Sequence, residues 1–232
     1  MRISPSRWFL LGLFLLCAPG ARSARAQGQS TASGGAVERD AQGHATLHAR
    51  RLTAPLKVDG VLDEAIYQTA PAAADFIETE PTSGRPAQEK TEAWIFYDDD
   101  NLYVVARCWE SHPERRVANE MRRDNGGVLR GDHFAVTLDT FHDRRSAVVL
   151  NVNPVGGRMD GQVAAEGQYS GDWNPVWNVQ TGRFDGGWTV EIAMPFKTLR
   201  YRAGADQTWG FNMRRRVIWN NEIAYLSAVP AG

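Results

Sequence analysis

Cysteine is nearly absent from this chain, with only Cys17 and Cys108 among 232 residues. No apolar run approaches the roughly 20 residues of a membrane-spanning helix, because the longest, Trp8 to Cys17, covers only about ten. Charge of one sign is also lacking: 26 basic residues face 27 acidic ones, so there is no basic footprint for nucleic acid. The five histidines fall at 44, 48, 112, 133 and 142, without the spacing of metal ligands. A Gly-x-Ser-x-Gly elbow, a His-Glu-x-x-His helix and a phosphate-cradling glycine loop are all missing. These absences weigh against catalysis more than against binding.

Residues 1–26 read as a secretory signal: Arg2 and Arg7 precede the short apolar run, and Ala24-Arg25-Ala26 places small residues at both cleavage positions. Cleavage after Ala26 leaves 22 basic against 27 acidic residues, a formal charge of −5. It also leaves Cys108 alone, which excludes an internal disulfide and a multi-cysteine zinc site. Cys108 alternates with Leu102, Val104 and Ala106, which predicts a buried, inert thiol. Residues 27–43 are rich in Gly, Ser, Ala and Gln and are expected to form a flexible linker. Residues 44–232 have the size of one domain and hold seven of the eight Trp.

From Leu56 onward apolar residues recur with period two, broken by turn signals every 8 to 12 residues. That pattern predicts an all-β fold, an antiparallel sandwich of jelly-roll or immunoglobulin-like type, with one short helix. The helix is expected over Glu64 to Thr69, capped by Asp63 and stopped by Pro71. Thr91 to Tyr97 and Leu102 to Trp109 flank Asp98-Asp99-Asp100-Asn101 as a hairpin, and Asp185-Gly186 marks a second one. Further strands are expected over Asp132–Thr140, Ser146–Asn153, Gly157–Ala165, Val176–Phe184, Gly187–Pro195, Thr208–Trp219 and Glu222–Val229. The set Phe134, Val136, Leu138, Val148, Leu150, Val152, Trp188, Val190, Ile192 and Met194 is the expected core.

On the opposite side of these strands lie Arg107, Thr137, Asn151, Asn153, Glu191, Arg214 and Arg216. Two readings fit this polar face: a solvated sheet with cross-strand ion pairs, or a groove whose planar amide and guanidinium groups meet sugar hydroxyls. Sugar rings also stack on aromatic faces. Trp173 and Trp177, in the turn-rich Gly171-Asp172-Trp173-Asn174-Pro175-Val176-Trp177 segment, are the candidate platforms, with Asp160 and Asn153 expected beside them. Most acids fall in turns or at strand ends, so the paired carboxylates of a glycosidase are not recognisable. The oxygen-rich stretches Asp139–Asp143 and Asp98–Asn101 could hold a structural calcium, although neither has the pattern of an EF-hand loop.

Val58-Asp59-Gly60-Val61-Leu62-Asp63-Glu64, Asn101-Leu102-Tyr103-Val104, the Asp132 to Asp139 strand, Asn151-Val152-Asn153, Gly187-Trp188-Thr189-Val190-Glu191-Ile192 and Trp209-Gly210-Phe211-Asn212 resemble family 9 carbohydrate-binding modules in order and spacing. Arg123-Asp124, Asn153-Pro154-x-Gly156, Trp173-x-Pro175-Val176-Trp177, Pro195-Phe196-x-x-Leu199-Arg200 and Arg216 with Glu222 are similar to a narrower subgroup. In that subgroup such a domain precedes a C-terminal β-barrel region in bacterial envelope proteins, and the chain would then be truncated before that barrel. The resemblance implies a β-sandwich that binds glycans, serves carbohydrate catabolism in the periplasm or at the outer membrane, and needs no cofactor, with calcium in some members. In sugar-binding members a Trp just before the Asp132-like strand clamps the sugar and an acid within that strand accepts its hydroxyls. Here those places fall at Val128 or Leu129 and at Ala135, and a basic residue on the next strand is replaced by Asn151.

The expectation is therefore an exported, non-catalytic glycan-binding domain with ligand contacts from Trp177, Trp173, Asn153, Arg107 and Asp160. The rivals are a structural plug or docking domain for its own outer-membrane barrel, and a hydrolase of O-glycosyl bonds.

Overall fold

Alternating apolar side chains bury one side of each strand and so require a second layer to cover it. The computed structural model describes residues 36–164 and 167–229, and in them this requirement is met by two stacked sheets. The elements in chain order are β1 (Val37–Arg39), β2 (Ala45–Leu47), β3 (Arg50–Arg51), α1 (Ala65–Thr69), β4 (Ile77–Glu80), β5 (Thr91–Tyr97), β6 (Asn101–Trp109) and β7 (His133–Asp139). They continue with β8 (Ala147–Val152), β9 (Arg158–Val163), β10 (Tyr169–Ser170), β11 (Asn178–Phe184), β12 (Gly187–Pro195), β13 (Gly210–Val217) and β14 (Glu222–Tyr225).

The larger sheet has seven strands in the order β10-β9-β8-β7-β13-β14-β4, and the smaller has five, β11-β12-β6-β5-β3. All pairs are antiparallel except β3 with β5. Between the sheets lie Phe134, Val136, Leu138, Leu150, Val152, Trp188, Val190, Ile192, Met194 and Met213, all buried. Each such side chain contributes about 1.5–3 kcal/mol by leaving water. The expected alternation holds on β6, where Leu102, Val104, Ala106 and Cys108 face this core. Burial pushes the Cys108 thiol up to about 11, which keeps it protonated and unreactive at neutral pH.

Both expected hairpins form. Asp98 Oδ1 accepts from the Asp100 and Asn101 N–H groups, closing the β5–β6 turn. In the β11–β12 turn Gly186 takes a φ of +102°, open to glycine without strain.

Three differences stand out. The 27–43 linker is corrected at its end, because Val37–Arg39 pairs with Ala45–Leu47. The expected signal over 1–26, and linker residues 27–35, lie outside the described residues. Helix α1 begins at Ala65 with Glu64 in the cap position and no side-chain cap bond, so Asp63 does not cap it. The outer side of the five-stranded sheet is not solvated: Tyr103, Val105, Trp94 and Phe96 form a second small core beneath Leu52, Tyr67 and Ala70. The segment before β4, rather than solvent, covers that face.

Candidate functional site

The predicted ligand residues separate into three places. Asp160 and Trp177 do meet, but inside the protein: the indole Nε1–H donates to Asp160 Oδ2 at 2.9 Å. Trp177 is 4% exposed and belongs to the main core, while Val176 beside it is 75% exposed. The emergence from Pro175 therefore turns valine outward and the large ring inward, which corrects the expectation of a rim platform. Arg123 completes this arrangement, with its Nη2 at 2.9 Å from both Asp160 Oδ2 and the Pro175 carbonyl. Burial raises the Asp160 carboxyl above its ordinary range, against the lowering pull of Trp177 and Arg123. Trp173 is half-buried and packs on the same core.

Asn153 is likewise structural. Its Oδ1 accepts from Gly157 N at 2.8 Å and Val155 N at 3.2 Å, shaping the β8–β9 turn, and its Nδ2 donates to the Glu120 carbonyl at 2.6 Å. Asn153 is 1% exposed, so its amide is turned into the fold rather than toward a ligand, which corrects the expected ligand role. Arg107 stands on the other side of the sandwich, on the outer face of the five-stranded sheet. It lies over the Trp94 and Phe184 rings at 5.5 and 6.0 Å and pairs with Glu92 at 3.4 Å. It cannot share a ligand with Asn153 or Asp160.

The Val58-Asp59-Gly60 stretch docks on the same outer face. Glu191 Oε2 accepts from the Asp59 and Gly60 N–H groups, its Oε1 from the Tyr67 hydroxyl at 2.7 Å, and Thr189 donates to the Gly60 carbonyl. Other buried acids also serve the backbone. Asp132 accepts from Val117 and Ile218, and Glu222 from Gln88 and Glu89. In the stretches considered for calcium, Asp139 accepts from Asp143 and Arg144, and Asp143 from Arg145 and Ser146. No group of three or more His, Cys, Asp or Glu side chains placed to hold a metal occurs among the described residues.

The outer face of the seven-stranded sheet is built differently. One cross-strand row runs Met159, Asn151, Ala135, Arg214, Tyr225 and Ile77 across β9, β8, β7, β13, β14 and β4. Ala135 offers only a methyl group, so the Arg214 side chain reaches across it toward Asn151 Oδ1 at 3.4 Å. Arg214 Nη2 is also 2.9 Å from His133 Nε2, while His133 Nδ1 lies 2.8 Å from the Gly131 carbonyl. A Nδ1–H donated to that carbonyl leaves Nε2 as a lone pair that accepts from the guanidinium. Burial, and then Arg214, push His133 down to about 4, so it is neutral. The Arg214 Nε is buried without a partner. Arg216 lies in the next row with His133 and Ile223, and Tyr225, half-buried, stands directly opposite Arg214. This face thus carries an oriented, half-buried guanidinium and a half-buried aromatic ring, with the Asn151 amide buried behind them. Arg214, Arg216 and Asn151 were visible in the alternation. His133 and Tyr225 were missed, although the same period-two count places both on this side.

Two clefts sit at one end of the sandwich and share Asn101 and Pro195. One, of about 370 Å³, is lined by residues including Leu56, Tyr103, Val176 and Trp177. The other, of about 910 Å³, is bordered by Asp99, Asp100, Phe196 and Tyr201 among others. Trp177 closes a wall of the first, but it is held there by core packing and the Asp160 bond.

Residues 58–221 match the family model described as carbohydrate family 9 binding domain-like. No curated protein matches the chain. Among solved structures, a family 9 carbohydrate-binding module from Caldicellulosiruptor kristjanssonii in complex with cellotriose is 16% identical, with a TM-score of 0.55, covering 77% of this chain and 82% of its own. The glucose complex of such a module from the same organism gives 16% identity and a TM-score of 0.53, with 76% and 85% covered. A protein from Bacteroides uniformis ATCC 8492 is 10% identical, with a TM-score of 0.61, covering 78% and 88%. At these identities the likeness concerns the fold.

Proposed function

Because the chain belongs to the carbohydrate family 9 binding domain-like family, we propose that it binds a saccharide on the outer face of the seven-stranded sheet. The observation that carries this reading is Arg214, whose half-buried guanidinium is held in place on this face by His133 and Asn151. The Tyr225 ring lies across the strand pair for an apolar sugar face. The ligands in the neighbours' names, cellotriose and glucose, fit this class.

Binding rather than turnover is supported by the use of acids within the fold, where Asp98, Asp139, Asp143 and Glu191 all accept hydrogen bonds from backbone N–H groups. Export is proposed from residues 1–26, and a role in the envelope beside a C-terminal barrel from the resemblance of Arg123-Asp124 and its companion motifs. Calorimetric titration of the chain with a panel of neutral and acidic oligosaccharides tests the central reading. Saturable binding weakened by Arg214→Gln is expected, and absence of heat with every saccharide would remove it.

A further inference from the structure

The charged side chains at the centre of the candidate face, Arg214 and Arg216, are both basic. Arg214 and Arg216 are two residues apart on β13 and so share a face. Neither forms an ion pair among the described residues. Arg215, between them, points into the sandwich, lies over Trp188 and has its Nη2 3.8 Å from Glu110. The fold therefore supplies an acid to the inward arginine and none to the outward two. Glu80, in the cross-strand row of Arg216, stands two strands away, about 10 Å at ordinary strand spacing.

His133 and Asn151 orient Arg214 without neutralising it, since both act as uncharged acceptors. A half-buried guanidinium with uncompensated charge is costly. Nη2 already serves His133 and Asn151, so a ligand meets the guanidinium at Nη1, where a carboxylate oxygen adds a charge-assisted hydrogen bond and cancels charge that a neutral hydroxyl leaves in place.

We propose that the saccharide held on this face is acidic, with a uronate carboxylate engaging Arg214 and Arg216. This rests on the saccharide reading above and adds the class of sugar. The carboxylate supplies the counter-charge that the arginine pair lacks, and Tyr225 backs the ring.

The test is titration of the full chain with galacturonate, mannuronate and glucuronate oligomers, with the same oligomers after carboxyl reduction, and with cellotriose. At least one uronate oligomer should bind about tenfold or more tightly than its reduced form, the scale of a charged hydrogen bond, and its affinity should fall as salt rises. Arg214→Gln and, separately, Arg216→Gln should each remove most of that preference, with melting curves confirming that the variants fold. The salt series on the unaltered chain decides the matter if a variant does not. Equal or tighter binding of the reduced or neutral oligomers overturns the acidic assignment while leaving saccharide binding in place. Binding to none of them overturns both. A uronate preference untouched by either substitution places the acid elsewhere and overturns the role given to this arginine pair.

Discussion

The Gly60 N–H donates to Glu191 Oε2 at 2.7 Å, across 131 residues of sequence. This bond, with those from Asp59 and Tyr67, fastens the covering segment to the five-stranded sheet. Burial raises the Glu191 carboxyl above the usual range, while the three donors pull it back. Glu191→Ala orphans all three donors and should cost about 2–4 kcal/mol of stability. Urea unfolding of this variant within about 0.5 kcal/mol of the parent, the range of a neutral surface change, would show that the lock is not structural.

Gly182 on β11 lies against the Gly60 backbone. A methyl group there would come within 2.0 Å of the Gly60 carbonyl oxygen, and Gly60 itself holds a φ of +86°. Neither side can yield without moving a strand. Gly182→Ala should cost about 1–3 kcal/mol or more, and a melting temperature equal to the parent's would contradict the close approach.

Trp177 is a core residue bonded to Asp160, so Trp177→Ala should destabilise the fold by about 3–5 kcal/mol. Trp177→Phe keeps most of the volume but leaves Asp160 Oδ2 to Arg123 alone, and should cost less. Saccharide affinity of the folded Phe variant should stay near the parent value. A large affinity loss with stability unchanged would return Trp177 to the ligand site.

His133 gives a pH signature. Its folded pKa, about 4, lies below the ordinary 6.5, first through burial and then through Arg214. A depressed histidine contributes stability that is complete above pH 6.5 and is lost as pH falls toward 4, because only the unfolded chain takes up the proton. The loss should be about 3 kcal/mol. His133→Gln should therefore lie closer in stability to the parent at pH 4 than at pH 7. An equal gap at both pH values would contradict a buried neutral imidazole.

Much of the fold was legible because period two is strict wherever a strand is covered on one side. Gly187–Pro195 and Thr91–Tyr97 fall on their expected bounds. The strands β1, β3 and β10 were not legible, being two or three residues long and too short to show a period. The polar face was legible as alternation but not as a place. Arg107 and Glu191 alternate with core residues on one sheet, Asn151 and Arg214 on the other, and sequence does not say which outer face is then covered. Asn153, Asp160 and Trp177 failed as ligands for a related reason. Asn153 bonds the Gly157 turn, and Asp160 bonds Arg123 and Trp177, contacts that period-two alternation does not reveal.

Amide chemical-shift mapping during saccharide titration tests the central claim most directly. The account predicts shifts at Ala135, Asn151, Arg214, Arg216 and Tyr225 on the outer face of the seven-stranded sheet. Shifts confined to Asn101, Tyr103 and Phe196 to Tyr201 around the two end clefts, or no shifts with any saccharide, would contradict it.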